Sequence, residues 1–169
     1  MKDLSHNDAY LKQPQELDIW TDGGCSYNPG EGAVGIVMRY KDKTKEINGY
    51  VPYTTNNQME LLAVILALNS LKRPCKINLW TDSIYVKEGI TNWISKWKQN
   101  NWRSASKKPI KNQKLWQALD KLVIKHQIDF KWIKGHNGHL QNEQADKLCG
   151  LALKIKAPLL QEYLSLLVD

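Results

Sequence analysis

Four carboxylates stand where charge is unfavourable. Asp22 closes the β-prone run LDIWTDGG, just before Gly23 and Gly24. Glu60 opens the helical pattern MELLAVILALNSLK, Asp82 closes INLWTD, and Asp146 adjoins an apolar helical stripe near its start. Singly, each has a structural alternative. Asp22 can serve a strand-end turn, Asp82 a helix cap, and Glu60 and Asp146 a helix N-terminus. Together they point to one site. Parallel strands would set Asp22 beside Asp82, and a helix packed on the sheet would add Glu60. Clustered anions repel unless protons or cations neutralise them. Hard oxygen donors without a Cys or His cluster suit Mg²⁺, with Mn²⁺ as a substitute. Two such ions about 4 Å apart can activate water and stabilise the leaving oxygen of a phosphodiester. His136, flanked by Gly135 and Gly138, lies on an expected loop near this site and could shuttle a proton. A plain surface loop is the alternative.

The pattern predicts the elements that would position these groups. Strands are expected from Leu17, at 32–40 and at 45–53, joined as a meander. Thr55-Asn56-Asn57-Gln58 matches a capping box, and the helix behind it is apolar all round from Leu61 to Leu68, which implies deep burial. A fourth strand (77–82) leads to a short helix from Ser83 that Gly89 should stop. Ile90, Trp93, Ile94 and Trp97 then share one face of a second short helix. After an irregular stretch to 111, Asn112 is expected to cap a helix carrying Leu115, Leu119 and Leu122. A fifth strand is expected at 128–134, alternating Ile128, Phe130 and Trp132. Asn142 should cap a last helix striped with Ala145, Leu148, Cys149, Ala152 and Ile155 and ending before Pro158. The order βββαβαααβα predicts one mixed α/β domain, a five-stranded mixed sheet flanked by helices. Its expected limits are 17–157, after a loose arm (1–16) and before a tail (158–169) capable of a helical turn or two.

Composition narrows the partners. The chain has 169 residues, 24 Lys and Arg against 17 Asp and Glu, and a net charge of +7. Seven bases and no acids lie between Gly89 and Leu119, so the remaining 17 bases balance the 17 acids. Trp93, Trp97 and Trp102 interleave with these bases. A localised basic, aromatic patch points to a polyanion, most often nucleic acid; a solvated surface is the bland alternative. The longest apolar run has eight residues, and a membrane span needs about 20. The first residues carry no secretory pattern. Cys25, Cys75 and Cys149 are odd in number and widely spaced, which fits a reducing, cytoplasmic setting better than disulfides or zinc.

TDGGCSYNPG (21–30), TTNNQMEL (54–61), TDSIYV (81–86) and KGHNGHLQNEQADKL (134–148), in this order, resemble the type 1 ribonucleases H. The segment 93–116 resembles the basic protrusion of bacterial members, here bounded at 90–111. The resemblance spans about Leu17 to Ile155. It implies a ribonuclease H-like fold and endonucleolytic cleavage of the RNA strand of an RNA–DNA hybrid duplex. It also implies 5′-phosphate and 3′-hydroxyl products and two divalent ions, normally Mg²⁺. By position, Asp22, Glu60, Asp82 and Asp146 match the metal-binding carboxylates, and His136 the loop histidine that assists turnover. Asn28, Asn56 and Asn57 match contacts to the hybrid near the cut. Thr55 and Asn112 match the grip on a DNA-strand phosphate. Trp93, Trp97 and Trp102, with Lys98 and neighbouring lysines, match the channel for the DNA strand. Ile84 departs from the glutamine found in many bacterial members, which puts one polar contact in doubt. A monomer is the expected state. A silent hybrid-binding module, a DNA-acting nuclease on the same scaffold and a structural nucleic-acid protein are the competing readings.

Overall fold

The computed structural model describes residues 15–159 and 161–168. Most of the expected N-terminal arm, together with Leu160 and Asp169 of the tail, lies outside the described residues. Strand β1 (Gln15–Cys25) starts two residues before the expected Leu17. It pairs antiparallel with β2 (Gly30–Tyr40), which pairs antiparallel with β3 (Lys43–Thr54). Beyond helix α1 (Asn56–Asn69), β4 (Cys75–Thr81) runs parallel to β1, and β5 (Gln127–Trp132) parallel to β4. The sheet order is therefore β3-β2-β1-β4-β5.

Helix α1 begins at the expected capping box. The Thr55 hydroxyl accepts from the Gln58 amide, and the Gln58 side chain accepts from the Thr55 amide. Every residue from Leu61 to Leu68 is buried, because α1 lies between the sheet and α4 (Gln113–Val123). Each large aliphatic side chain buried there contributes roughly 1.5–3 kcal/mol. Leu115, Trp116 and Leu119 supply the facing surface of α4. Helix α5 (Leu140–Ile155) covers the opposite face over β1, β2 and β3.

Gly89 does not stop a helix. Helix α2 (Ile84–Glu88) runs through a π-helical turn (Gly89–Trp93) into α3 (Ile94–Gln99). The glycine is there for contact: a Cβ on it would stand 1.9 Å from the Trp116 ring. Two expected caps also fail. Asn112 precedes α4 with φ 59°, but its buried side chain donates to the Tyr85 hydroxyl instead of capping. Asn142 sits inside the first turn of α5, buried, with Oδ1 unpartnered. Tertiary packing overrides the local capping preference at both. On the α5 stripe, Ala145, Cys149 and Ala152 are buried as expected, whereas Ile155 is exposed. Trp132 is 42% exposed, because it lies at the strand end beyond the helical cover.

The tail forms α6 (Gln161–Leu164) and a 3₁₀ turn (Ser165–Leu167). It docks across the α1–α4 layer. Gln58 Nε2 donates to the Leu167 carbonyl, and Lys114 Nζ to the Val168 carbonyl.

Candidate active site

The β1–β4 register pairs Trp20 with Trp80, so Asp22 and Asp82 come side by side two residues on. Asp82 lies one residue past β4, but Asp22 does not close its strand as expected: β1 runs on through Gly23 and Gly24 to Cys25, held by its pairing with β2. Glu60 reaches them from the first turns of α1. Carboxylate oxygens of Asp22, Glu60 and Asp82 lie within 4.8 Å of one another. Asp146, in the second turn of α5, is not one of these three but lies close enough for its charge to help raise the Asp22 pKa. Three of the four expected carboxylates therefore meet, with Asp146 nearby. The simpler roles do not apply to Glu60 and Asp82. Glu60 Oε2 is buried without a hydrogen-bond partner, and the cap of α2 is Ser83, not Asp82.

Two glycines set these approaches. A Cβ on Gly23 would stand 2.4 Å from the Met59 carbonyl carbon, so only glycine lets the first turn of α1 rest on β1 beside Asp22. Gly35 pairs with Asp22 across the β1–β2 ladder. A Cβ on it would meet the Ala145 carbonyl oxygen at 2.0 Å, so Gly35 seats α5 and brings Asp146 to Asp22. Sequence reasoning missed both positions, although glycine inside a strand signals close backbone approach. Gly35→Ala should push α5 outward and destabilise the fold by about 1–3 kcal/mol, read as a lower urea midpoint. An unchanged midpoint would remove this role.

The site is electrostatically uncomfortable without a cation. Burial, then the charges of Asp82 and Asp146, raise Asp22 from its ordinary 3.8 to about 7. Glu60 is raised well above the usual carboxylate range by burial and by Asp22 and Asp82. Burial also raises Asp82, while its own amide and His136 pull it down. The Cys149 thiol beneath the cluster is likewise raised, by burial and then by Asp22, Glu60 and Asp146; it donates to the Ala33 carbonyl and offers no ligand. The donor set is thus all oxygen, with one unpartnered buried oxygen, which fits a hard divalent cation.

The other expected residues surround this cluster unevenly. His136 is exposed on the loop between β5 and α5 with φ 55°. Asn28 Oδ1 accepts from the Asn56 amide, and Asn56 Oδ1 from the Cys25 amide. The asparagine pair latches the β1–β2 turn to the start of α1, a tie the sequence did not reveal. Asn57 is exposed beside it. Trp93, Trp97 and Trp102 are half-buried and pack in series as tilted rings, with centroids 5.8 Å and 6.3 Å apart. Trp97 also meets the buried Trp116 at 5.4 Å, so the tryptophans form the small core of the protrusion as well as its surface. Lys98 pairs with Asp120 at 3.0 Å, leaving Lys96, Lys107, Lys108 and Lys111 as exposed bases nearby. A cleft of about 560 Å³ lined by Leu17, Met38 and Leu71 lies at the other end of the sheet.

The RNase H family model matches residues 14–154. A ribonuclease H of Bradyrhizobium diazoefficiens is 55% identical over 132 residues, covering 78% of this chain and 86% of its own. A ribonuclease HI of Vibrio parahaemolyticus is 52% identical over 138 residues, covering 82% and 90%. The solved structure of LC9-RNase H1, a type 1 RNase H with the type 2 active-site motif, superposes with TM-score 0.77 at 28% identity. That superposition covers 90% of this chain and 80% of the other.

Proposed function

The chain belongs to the ribonuclease H family, and from that premise we propose that it hydrolyses the RNA strand of RNA–DNA hybrids with two Mg²⁺ ions. The observation that carries this reading is the convergence of Asp22, Glu60 and Asp82, one of whose buried oxygens has no partner, with the charge of Asp146 close to Asp22. Asp22 and Asp146 would hold one ion, and Asp22, Glu60 and Asp82 the other. Bound there, the ions supply the charge that activates a water and stabilises the departing 3′ oxygen, giving 5′-phosphate and 3′-hydroxyl ends.

The protein's own groups do the rest. His136, exposed beside Asp82, moves protons near the scissile phosphate. Asn28, Asn56 and Asn57 line one rim and meet the RNA strand, whose 2′-hydroxyl distinguishes it from DNA. Thr55 and Asn112 hold a DNA-strand phosphate. Asn112 does so from its position under the protrusion, where Tyr85 fixes its amide. The half-buried tryptophans present their remaining faces, and the lysines their charge, to the DNA strand. No helix among the described residues is long and apolar enough to cross a membrane. The three free cysteines accord with a reducing cytoplasm, and the enzyme acts as a monomer in this reading.

The deciding experiment is cleavage of an end-labelled hybrid against RNA–RNA, DNA–DNA and single-stranded controls, with Mg²⁺ or EDTA. Cutting confined to the RNA of the hybrid, and only with Mg²⁺, is expected. Metal-independent cutting, or cutting of duplex DNA, would refute the assignment. Replacing Lys96, Lys107 and Lys108 by Gln should lower the slope of log affinity against log salt by about 2–3, since fewer counterions are released. A wild-type slope in that triple variant would mean that these lysines face away from the hybrid.

A further inference from the structure

We infer that Trp132 and Gly135 are positioning residues for Asp82, one fixing its backbone and the other its carboxylate. The inference rests on the proposed role of Asp82 as a metal ligand. Asp82 needs such support, because the β4–β5 ladder ends at the Thr81–Trp132 pair, one residue before it. Its neighbours Asp22 and Glu60 are carboxyl groups whose charge, whenever they ionise, favours an outward swing of the side chain.

The turn is closed from several sides. The Ser83 amide donates to Thr81 Oγ1 at 3.0 Å, and the Ile133 amide to the Thr81 carbonyl at 3.0 Å. Trp132 Nε1 donates to the Asp82 carbonyl, also at 3.0 Å. An indole that is 42% exposed could give this proton to water. Its engagement with one carbonyl instead pins the residue that carries the carboxylate. Three residues on, the chain passes directly over that carboxylate. A Cβ on Gly135 would stand 2.6 Å from Asp82 Oδ2. The glycine is thus a backstop of minimal thickness, and any side chain there would displace the ligand oxygen. The next residue is His136, exposed on the loop that follows Gly135. One bracket therefore sets both the carboxylate and the base of the imidazole loop.

The test compares Trp132→Phe, Gly135→Ala and Gly150→Ala with the wild type. Gly150 has open space around its Cβ position and serves as the control. At Gly135 only a carboxylate tip has to move, so Gly135→Ala keeps the fold, checked by far-UV circular dichroism. Mg²⁺ uptake is followed by calorimetry and by the Mg²⁺-dependent rise in Tm, without substrate. Trp132→Phe and Gly135→Ala should each raise the half-saturating Mg²⁺ concentration about tenfold, the usual scale for loss of an outer partner of a ligand. Hybrid affinity in EDTA should stay at the wild-type value, and added Mg²⁺ should restore cleavage. Wild-type Mg²⁺ uptake in both variants would overturn the bracket, and so would an equal loss in Gly150→Ala. A wild-type protein that takes up no Mg²⁺ would overturn the metal reading itself, and the bracket with it.

Discussion

Asp22→Asn should slow hybrid cleavage by at least about a thousandfold, roughly 4 kcal/mol of barrier, while leaving hybrid binding within about threefold of wild type. The size follows from where Asp22 stands. It lies within reach of Glu60 and Asp82 and close to the charge of Asp146, so it is the one carboxylate common to both proposed ion positions. An amide keeps the shape of the side chain but removes the charge, and neutral oxygen is a poor exchange for carboxylate around a hard cation. Binding survives because the groups expected to hold the hybrid lie on other elements: the asparagine rim, the protrusion and its lysines. Single-turnover cleavage and a binding isotherm in EDTA separate the two effects. Cleavage by Asp22→Asn near the wild-type rate would remove Asp22 from the centre of the mechanism. A parallel collapse of affinity would make it a binding residue.

The parts of the site that were legible in the sequence are those written in local pattern or in contradiction. The capping box at Thr55 and Gln58 is a four-residue device, and it forms where the sequence places it. Helix α1 is apolar around its whole circumference, which only a helix covered on all sides tolerates, and α4 and the sheet cover it. Asp22 and Asp82 were legible because charge closing an apolar run needs a reason, even though β1 continues past Asp22 to Cys25. The parallel pairing of β1 with β4 then supplies the register that brings Asp22 to Asp82. What was not legible depends on contacts far apart in sequence. Gly89 reads as a helix stop until the Trp116 ring is found lying against it. Asn112 and Asn142 read as caps, yet Tyr85 takes the first and burial within α5 takes the second. The spacing roles of Gly23 and Gly35 involve α1 and α5, and no local pattern announces which helix a strand glycine will meet. The tail docks through Leu164, Leu166 and Leu167 against the core and through polar contacts with Gln58, Asn69 and Lys114, distant partners that its weak helical pattern does not reveal.

Metal-free protein should lose stability as pH rises from about 4 to about 8, opposite to the usual behaviour of paired carboxylates. Asp22 has its pKa raised from 3.8 to about 7 in the folded state. Between these values the native state holds a proton that the unfolded chain has released, so unfolding becomes easier with each step up in pH. Its contribution is fully present below the unfolded value and is lost as pH passes through about 7. Glu60 and Asp82 are raised as well and act in the same direction. For Asp22 alone the loss amounts to roughly 4 kcal/mol, at about 1.4 kcal/mol for each pH step. Three consequences are separable by urea unfolding in EDTA and in Mg²⁺. Wild type should be markedly weaker at about pH 8 than at about pH 5 in EDTA. Asp22→Asn, which carries no charge there, should flatten that dependence and exceed the wild type at the higher pH. Mg²⁺ should restore wild-type stability at about pH 8, because a ligand that binds only the native state stabilises it by mass action. It should do far less for Asp22→Asn. If wild type and Asp22→Asn traced the same stability profile in EDTA, the four acids would not be repelling one another in the fold. The electrostatic reason for expecting a divalent cation among them would then be gone.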